Sequence, residues 1–161
     1  MIDFILKAGI IAVFFIIFLQ DFRDRLVYWF LYPLVGVIGY IVQAKNLGYE
    51  LSLVYSLINL SIIIILLLIL FLYSRLKLKM NFINGTMGIG DILLLLFLSF
   101  IFPTTTFVVL FVFSLFFSLL IHYFLKNTGT HKNVPLAGYI ALFFLFIYVA
   151  SFFLEPYYLY S

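Results

Sequence analysis

The stretch "LSLVYSLINLSIIIILLLILFLY", Leu51–Tyr73, carries no charged side chain from end to end. Roughly 20 apolar residues in a helix cross the hydrocarbon core of a bilayer, so this stretch predicts a transmembrane helix. The whole chain is of the same kind. Of its 161 residues 67% are hydrophobic and 9% charged, with a mean hydropathy of +1.31. A soluble domain carries about 25% charged residues. This chain is therefore read as an integral membrane protein. The expected fold is an all-α bundle of about six transmembrane helices forming one domain over residues 1–161.

The expected segments are Ile2–Leu19, Leu26–Val42, Leu51–Tyr73, a short fourth run Ile92–Phe102, Phe107–Leu125 and Val134–Leu154. The fourth reaches spanning length only if its helix begins near Met87. Pro33 inside the second segment predicts a kink, which membrane helices tolerate. The N-terminal run does not read as a cleavable signal, because Asp3 precedes Lys7 and no small-x-small site follows.

Five connections separate these segments: 20–25, 43–50, 74–90, 103–106 and 126–133. Arg23 and Arg25 lie in the first, Arg75, Lys77 and Lys79 in the third, and Lys126 and Lys132 in the fifth. Among the even-numbered connections only the second is basic, through Lys45. Lys and Arg concentrate in cytoplasmic loops, so the odd connections are expected at the cytoplasmic face of the inner membrane. The run "SRLKLKM", Ser74–Met80, reads first as a snorkelling anchor for the third helix, with anionic lipid as a second reading.

There are six acids. Asp3, Glu50 and Glu155 fall on the expected outer side, leaving Asp21, Asp24 and Asp91 for the inner face. Two crossings separate Asp21 from Asp91, so any orientation puts them on the same face. Acids at the edge of a hydrocarbon phase are costly and read as functional by default. Two carboxylates held close cannot both ionise. Such a pair hydrolyses an amide when the ionised member takes a proton from water and the protonated member polarises the carbonyl. Gly88 and Gly90 precede Asp91 and would let a strand or helix approach its backbone. Simpler accounts exist for the same residues. Asp91 also suits a helix N-cap, and Asp21 and Asp24 suit a charge cluster with Arg23 and Arg25.

The stretch "MGIGD", Met87–Asp91, resembles the G-x-G-D motif of the type IV prepilin and preflagellin peptidases, which are membrane aspartic peptidases. The family's first motif is an acid, five variable residues, then Ile-Pro. Here Asp21 is the acid and Val27 holds the Ile position, with Tyr28 where Pro is usual. Leu93 stands where Lys is common after the second acid, and Val134-Pro135 is similar to the Ile-Pro that opens the last helix. The resemblance implies Asp21 and Asp91 as the catalytic dyad, with Gly88 and Gly90 as motif support and Asp24 as a solvated neighbour. It also implies the short, peptidase-only form, because the cysteine-containing methylation domain of long members is missing. The implied substrate is a pilin-like precursor with a short basic leader, then Gly, then an apolar helix, cut at the cytoplasmic boundary. Presenilin-like peptidases share G-x-G-D, but their Tyr-Asp partner motif is absent.

No cofactor is expected, and no metal. There is no Cys, and neither His122 nor His131 has partners at ligand spacing. Nucleic-acid binding has no support without a basic groove. Trp29, Tyr157, Tyr158 and Tyr160 read as interfacial belt residues, and the Asn84-Gly85 step as a turn. Two other functions fit the same residues: a catalytically inactive scaffold in pilus or secretion assembly, and a small proton- or cation-coupled transporter using Asp21 and Asp91.

Overall fold

The structure is a computed structural model that describes residues 2–79, 87–125, 135–153 and 159–160. The calls on Asn84, His131, Val134, Glu155, Tyr157 and Tyr158, and on the basic residues Lys126 and Lys132, lie outside the described residues. The described chain is all-helical: α1 (Ile2–Arg23), α2 (Leu31–Leu47), α3 (Tyr49–Tyr73), α4 (Ile89–Leu98), α5 (Thr104–Leu125) and α6 (Leu136–Ala150). Three helical stretches are long and apolar enough to cross a membrane: Ile2–Arg23, Tyr49–Lys77 and Thr104–Phe124. Their outward faces stay apolar. Ile65, Leu68 and Ile69 on α3 and Phe113, Phe116 and Leu119 on α5 are all exposed, a surface suited to lipid.

Several boundaries differ from the expected ones, each for a local reason. α1 runs on through Gln20 and Asp21 to Arg23, so Asp21 belongs to its last turn. The chain then reverses at Arg25, in the left-handed region with φ 56°. α2 starts at Leu31 rather than Leu26, which places Pro33 in its first turn. A first-turn N–H has no partner inside the helix, so Pro33 costs no bond and explains no kink. The connection expected over 43–50 shrinks to Gly48, whose φ of +88° suits glycine and whose N–H caps Ala44 O at 2.8 Å. α5 begins three residues earlier than expected, because Pro103 O accepts from Phe107 N–H at 2.8 Å and draws Thr104–Thr106 into the first turn.

α3 continues into a π-helical turn, Ser74–Leu78, closed by Lys79 at φ 54°. Arg75 lies over the Phe71 ring and Lys77 over the Tyr73 ring, at 6.0 and 5.3 Å from the ring centres. Long cationic side chains folded along their own helix suit an anchor at the membrane edge.

α4 is the short helix. Its 10 residues rise about 15 Å, half of a hydrocarbon core. It ends at Leu98 rather than Phe102, and the chain leaves it through tight turns, Phe100 N–H to Phe97 O and Ile101 N–H to Leu98 O. Non-helical backbone at such depth persists only when protein covers it. Ile101 and Phe102 are fully buried, and Asn59 of α3 supplies the donors the helix end lacks. Its Nδ2 donates to Ser99 O at 3.2 Å and to Phe102 O at 2.8 Å. Asn59→Ala is expected to lower stability by about 2 kcal/mol, since it orphans two buried carbonyls. Thermal unfolding of the purified protein in detergent checks this; an unchanged midpoint would refute the capping role.

The core is aromatic. Phe14 of α1 stacks on Phe144 of α6 at 5.9 Å, and Phe102 stacks on Phe144 at 6.0 Å and on Tyr160 at 5.9 Å. Tyr160 is therefore a core residue, 4% exposed, and not part of an interfacial belt. Trp29 is 71% exposed, in keeping with a belt position. α1 and α6 pack antiparallel. At one end Lys7 of α1 donates to Ser151 O at the C-terminus of α6 (3.0 Å), and Lys45 pairs with Asp3 (3.1 Å). At the other end lie Asp21 and Asp91.

Candidate active site

The first turn of α6 is the centre of the site. Pro135 is its N-cap residue, and Tyr139 N–H makes the first helical bond, to Pro135 O. The N–H groups of the preceding positions have no acceptor within the helix. Ala137 N–H donates to Asp91 Oδ1 at 2.7 Å, and Gly138 N–H donates to Asp21 Oδ2 at 2.5 Å. Two carboxylates from helices 70 positions apart thus hold neighbouring amides of a third helix. The positive end of the α6 dipole and its free amides make this an anion-binding position.

The local sequence makes the approach possible. A Cβ on Gly138 would lie 3.0 Å from Asp21 Oδ2 and 3.2 Å from Asp21 Cβ, so only glycine lets the carboxylate reach the amide undisturbed. Asp91 is the third residue of α4, and its Oδ2 accepts from Gly88 N–H at 3.2 Å. One oxygen caps its own helix while the other reaches across to α6. The N-cap residue is thus Gly88 and not Asp91, which sits three positions further in and bonds back to the N-cap N–H while also reaching α6. Gly90 faces Tyr32 of α2: a Cβ there would sit 2.6 Å from Tyr32 Oη. The approach that Gly90 allows is by a neighbouring helix.

Asp21 is 9% exposed and Asp91 is half-buried. Arg25, Tyr32 and Tyr139 come within electrostatic reach of the acids. Asp24 is not part of this cluster; it is exposed beside Arg23, 4.0 Å away. Val27 packs against the core, whereas Tyr28 is exposed and its N–H donates to Gln20 Oε1 at 3.1 Å. Proline in that place has no N–H to give. Leu93 packs against the core, so its position contributes no cation to the site. His122 lies in the last turn of α5, and among the described residues no three His, Cys, Asp or Glu side chains group to hold a metal. An apolar groove of about 490 Å³ opens between α2, α3 and α4, lined by residues such as Gly36, Ser56 and Phe97 and by neither acid.

Tyr32 and the amides of Ala137 and Gly138 are the site members that sequence reasoning overlooked. Backbone amides leave no trace in residue type. The Pro135-Leu136-Ala137-Gly138 run is nevertheless a legible helix start followed by two small residues. No family model, curated protein or solved structure matches the chain.

Proposed function

We propose that the protein is a membrane-embedded aspartic endopeptidase that removes leader peptides from pilin-like precursors, with Asp21 and Asp91 as its dyad. The reading takes the chain as a six-span protein of the inner membrane with the acids at the cytoplasmic face, and the concentration of Lys and Arg in the odd-numbered connections supports that orientation. One observation carries it: two acids remote in sequence converge on adjacent amides at one end of the bundle.

The chemistry follows from that convergence. Two carboxylates at one helix N-terminus share a proton. The ionised member accepts a proton from water as the water oxygen bonds to the scissile carbonyl carbon. The protonated member gives its proton to the carbonyl oxygen. Collapse of the tetrahedral species restores the carbonyl, returns that proton, and breaks the C–N bond. The amine leaves with the proton first taken from water, so each carboxylate ends as it began. The amides of Ala137 and Gly138 hold both carboxylates in place throughout, so no geometry need be assembled during the reaction.

Co-expression with a precursor carrying a basic leader, a glycine and an apolar helix tests this by mass. Loss of the leader with wild type, and with neither Asp21→Asn nor Asp91→Asn, is the expected result. Cleavage that persists in both variants would remove the dyad from the mechanism.

A further inference from the structure

Tyr32 is the polar side chain of this cluster whose position the acids do not explain. It sits in the first turn of α2, 1% exposed, and its hydroxyl has no hydrogen-bond partner among the described residues. Burying an unpartnered hydroxyl is unfavourable, and phenylalanine would fill the same space without that cost. The surroundings are shaped around this oxygen. Gly90 leaves the room Oη occupies, since a Cβ there would stand 2.6 Å from it, whereas the next ring atom, Cζ, would be 3.6 Å away, an ordinary contact. Tyr32 interacts electrostatically with both Asp21 and Asp91. Among the described residues the acids accept from α6 and Gly88, and the Tyr32 O–H donates to neither of them.

A donor locked by packing beside two proton-handling groups suits charge that appears only during reaction. We propose that Tyr32 Oη donates a hydrogen bond to the carbonyl oxygen of the peptide being cut. This role rests on the peptidase reading above. Tyr32 gives no proton away: the bond strengthens as the carbonyl oxygen gains electron density during attack by water, alongside the proton arriving from the protonated carboxyl, and relaxes when the carbonyl is restored and the C–N bond breaks.

The test is a double-mutant cycle on the full-length protein in membranes, combining Tyr32→Phe and Gly90→Ala, with Asp91→Asn beside it. Tyr32→Phe is expected to lower kcat for precursor cleavage by about 10²-fold, as loss of an oxyanion donor does, with KM within about twofold of wild type. Its thermal unfolding midpoint should equal or exceed that of wild type, because the hydroxyl makes no hydrogen bond among the described residues. Gly90→Ala should lower kcat similarly by displacing Oη. Added to Tyr32→Phe it should cost nothing more, since the colliding oxygen is gone.

Unchanged kcat in Tyr32→Phe, with Asp91→Asn inactive, would overturn the role of Tyr32 and leave the peptidase standing. A lower unfolding midpoint in Tyr32→Phe would also overturn it, by making the hydroxyl part of the scaffold. Failure of wild type to cleave precursors would remove the peptidase reading and this inference together.

Discussion

Asp21→Asn and Asp91→Asn are expected to abolish leader cleavage to the same extent, at least about 10³-fold each, yet to differ in stability. Equal loss of activity follows because the reaction needs one group to take a proton and one to give it, and an amide does neither. The stability difference comes from how each carboxylate is used. Asp91 accepts with both oxygens, from Gly88 N–H and Ala137 N–H. Asparagine there must turn its NH2 toward one of those donors, and an unsatisfied buried donor costs about 1–3 kcal/mol. Asp21 receives its amide bond, from Gly138, on one oxygen. Asparagine can keep that bond by turning its carbonyl oxygen to it. Mass analysis of the processed precursor and thermal unfolding in detergent measure the two effects separately. Equal destabilisation by both substitutions would contradict the bonding pattern, whereas unequal activity would contradict the shared-proton chemistry.

Gly138→Val is expected to cost at least about 10²-fold in cleavage rate although it touches no substrate group. Misplacing a reacting group by about 1 Å is enough for that loss. The displacement is forced, because the first added carbon would already stand 3.0 Å from Asp21 Oδ2 and 3.2 Å from its Cβ. The branches of valine leave Asp21 no way to keep its bond to the amide, and Gly138→Ala should fall between valine and wild type. Gly9→Ala is the matched control in α1. Its new methyl would meet only Ile38 Cδ1 at 3.9 Å, and alanine is favoured over glycine inside a helix by about 1 kcal/mol. That variant should cleave normally and be at least as stable as wild type. A Gly138→Val protein that cleaves at the wild-type rate would mean that the bond from α6 to Asp21 has no part in the reaction.

Much of this protein is legible in its sequence because solvent sets the terms. A chain with 9% charged residues cannot cover itself for water, so helices and their approximate spans follow from apolar length alone. The three long helices are of this kind. The same source narrows the acids to Asp21, Asp24 and Asp91, since few acids are present and the number of intervening crossings decides which can share a side; the choice of Asp21 over Asp24 rests on the resemblance to the G-x-G-D peptidases. Where helices begin and end was less legible, because local bonds decide it. Pro33 belongs to a first turn and Gly48 alone separates two helices, and hydropathy is blind to both.

Only the tertiary structure decided what holds the acids and what surrounds them. Their ligands are backbone amides, and every residue type except proline carries one. It takes the packing of α6 between α1 and α4 to make Ala137 and Gly138 the ones that matter. The same holds for Asn59, whose amide serves a helix end 40 residues away, and for Tyr32, an ordinary apolar-helix tyrosine until Gly90 is found beneath its hydroxyl. Hydrophobicity is a property of each residue and adds along the chain, so sequence alone determines the solvent and the helices. Hydrogen bonds between distant groups depend on where the helices end up, and that is a property of the fold.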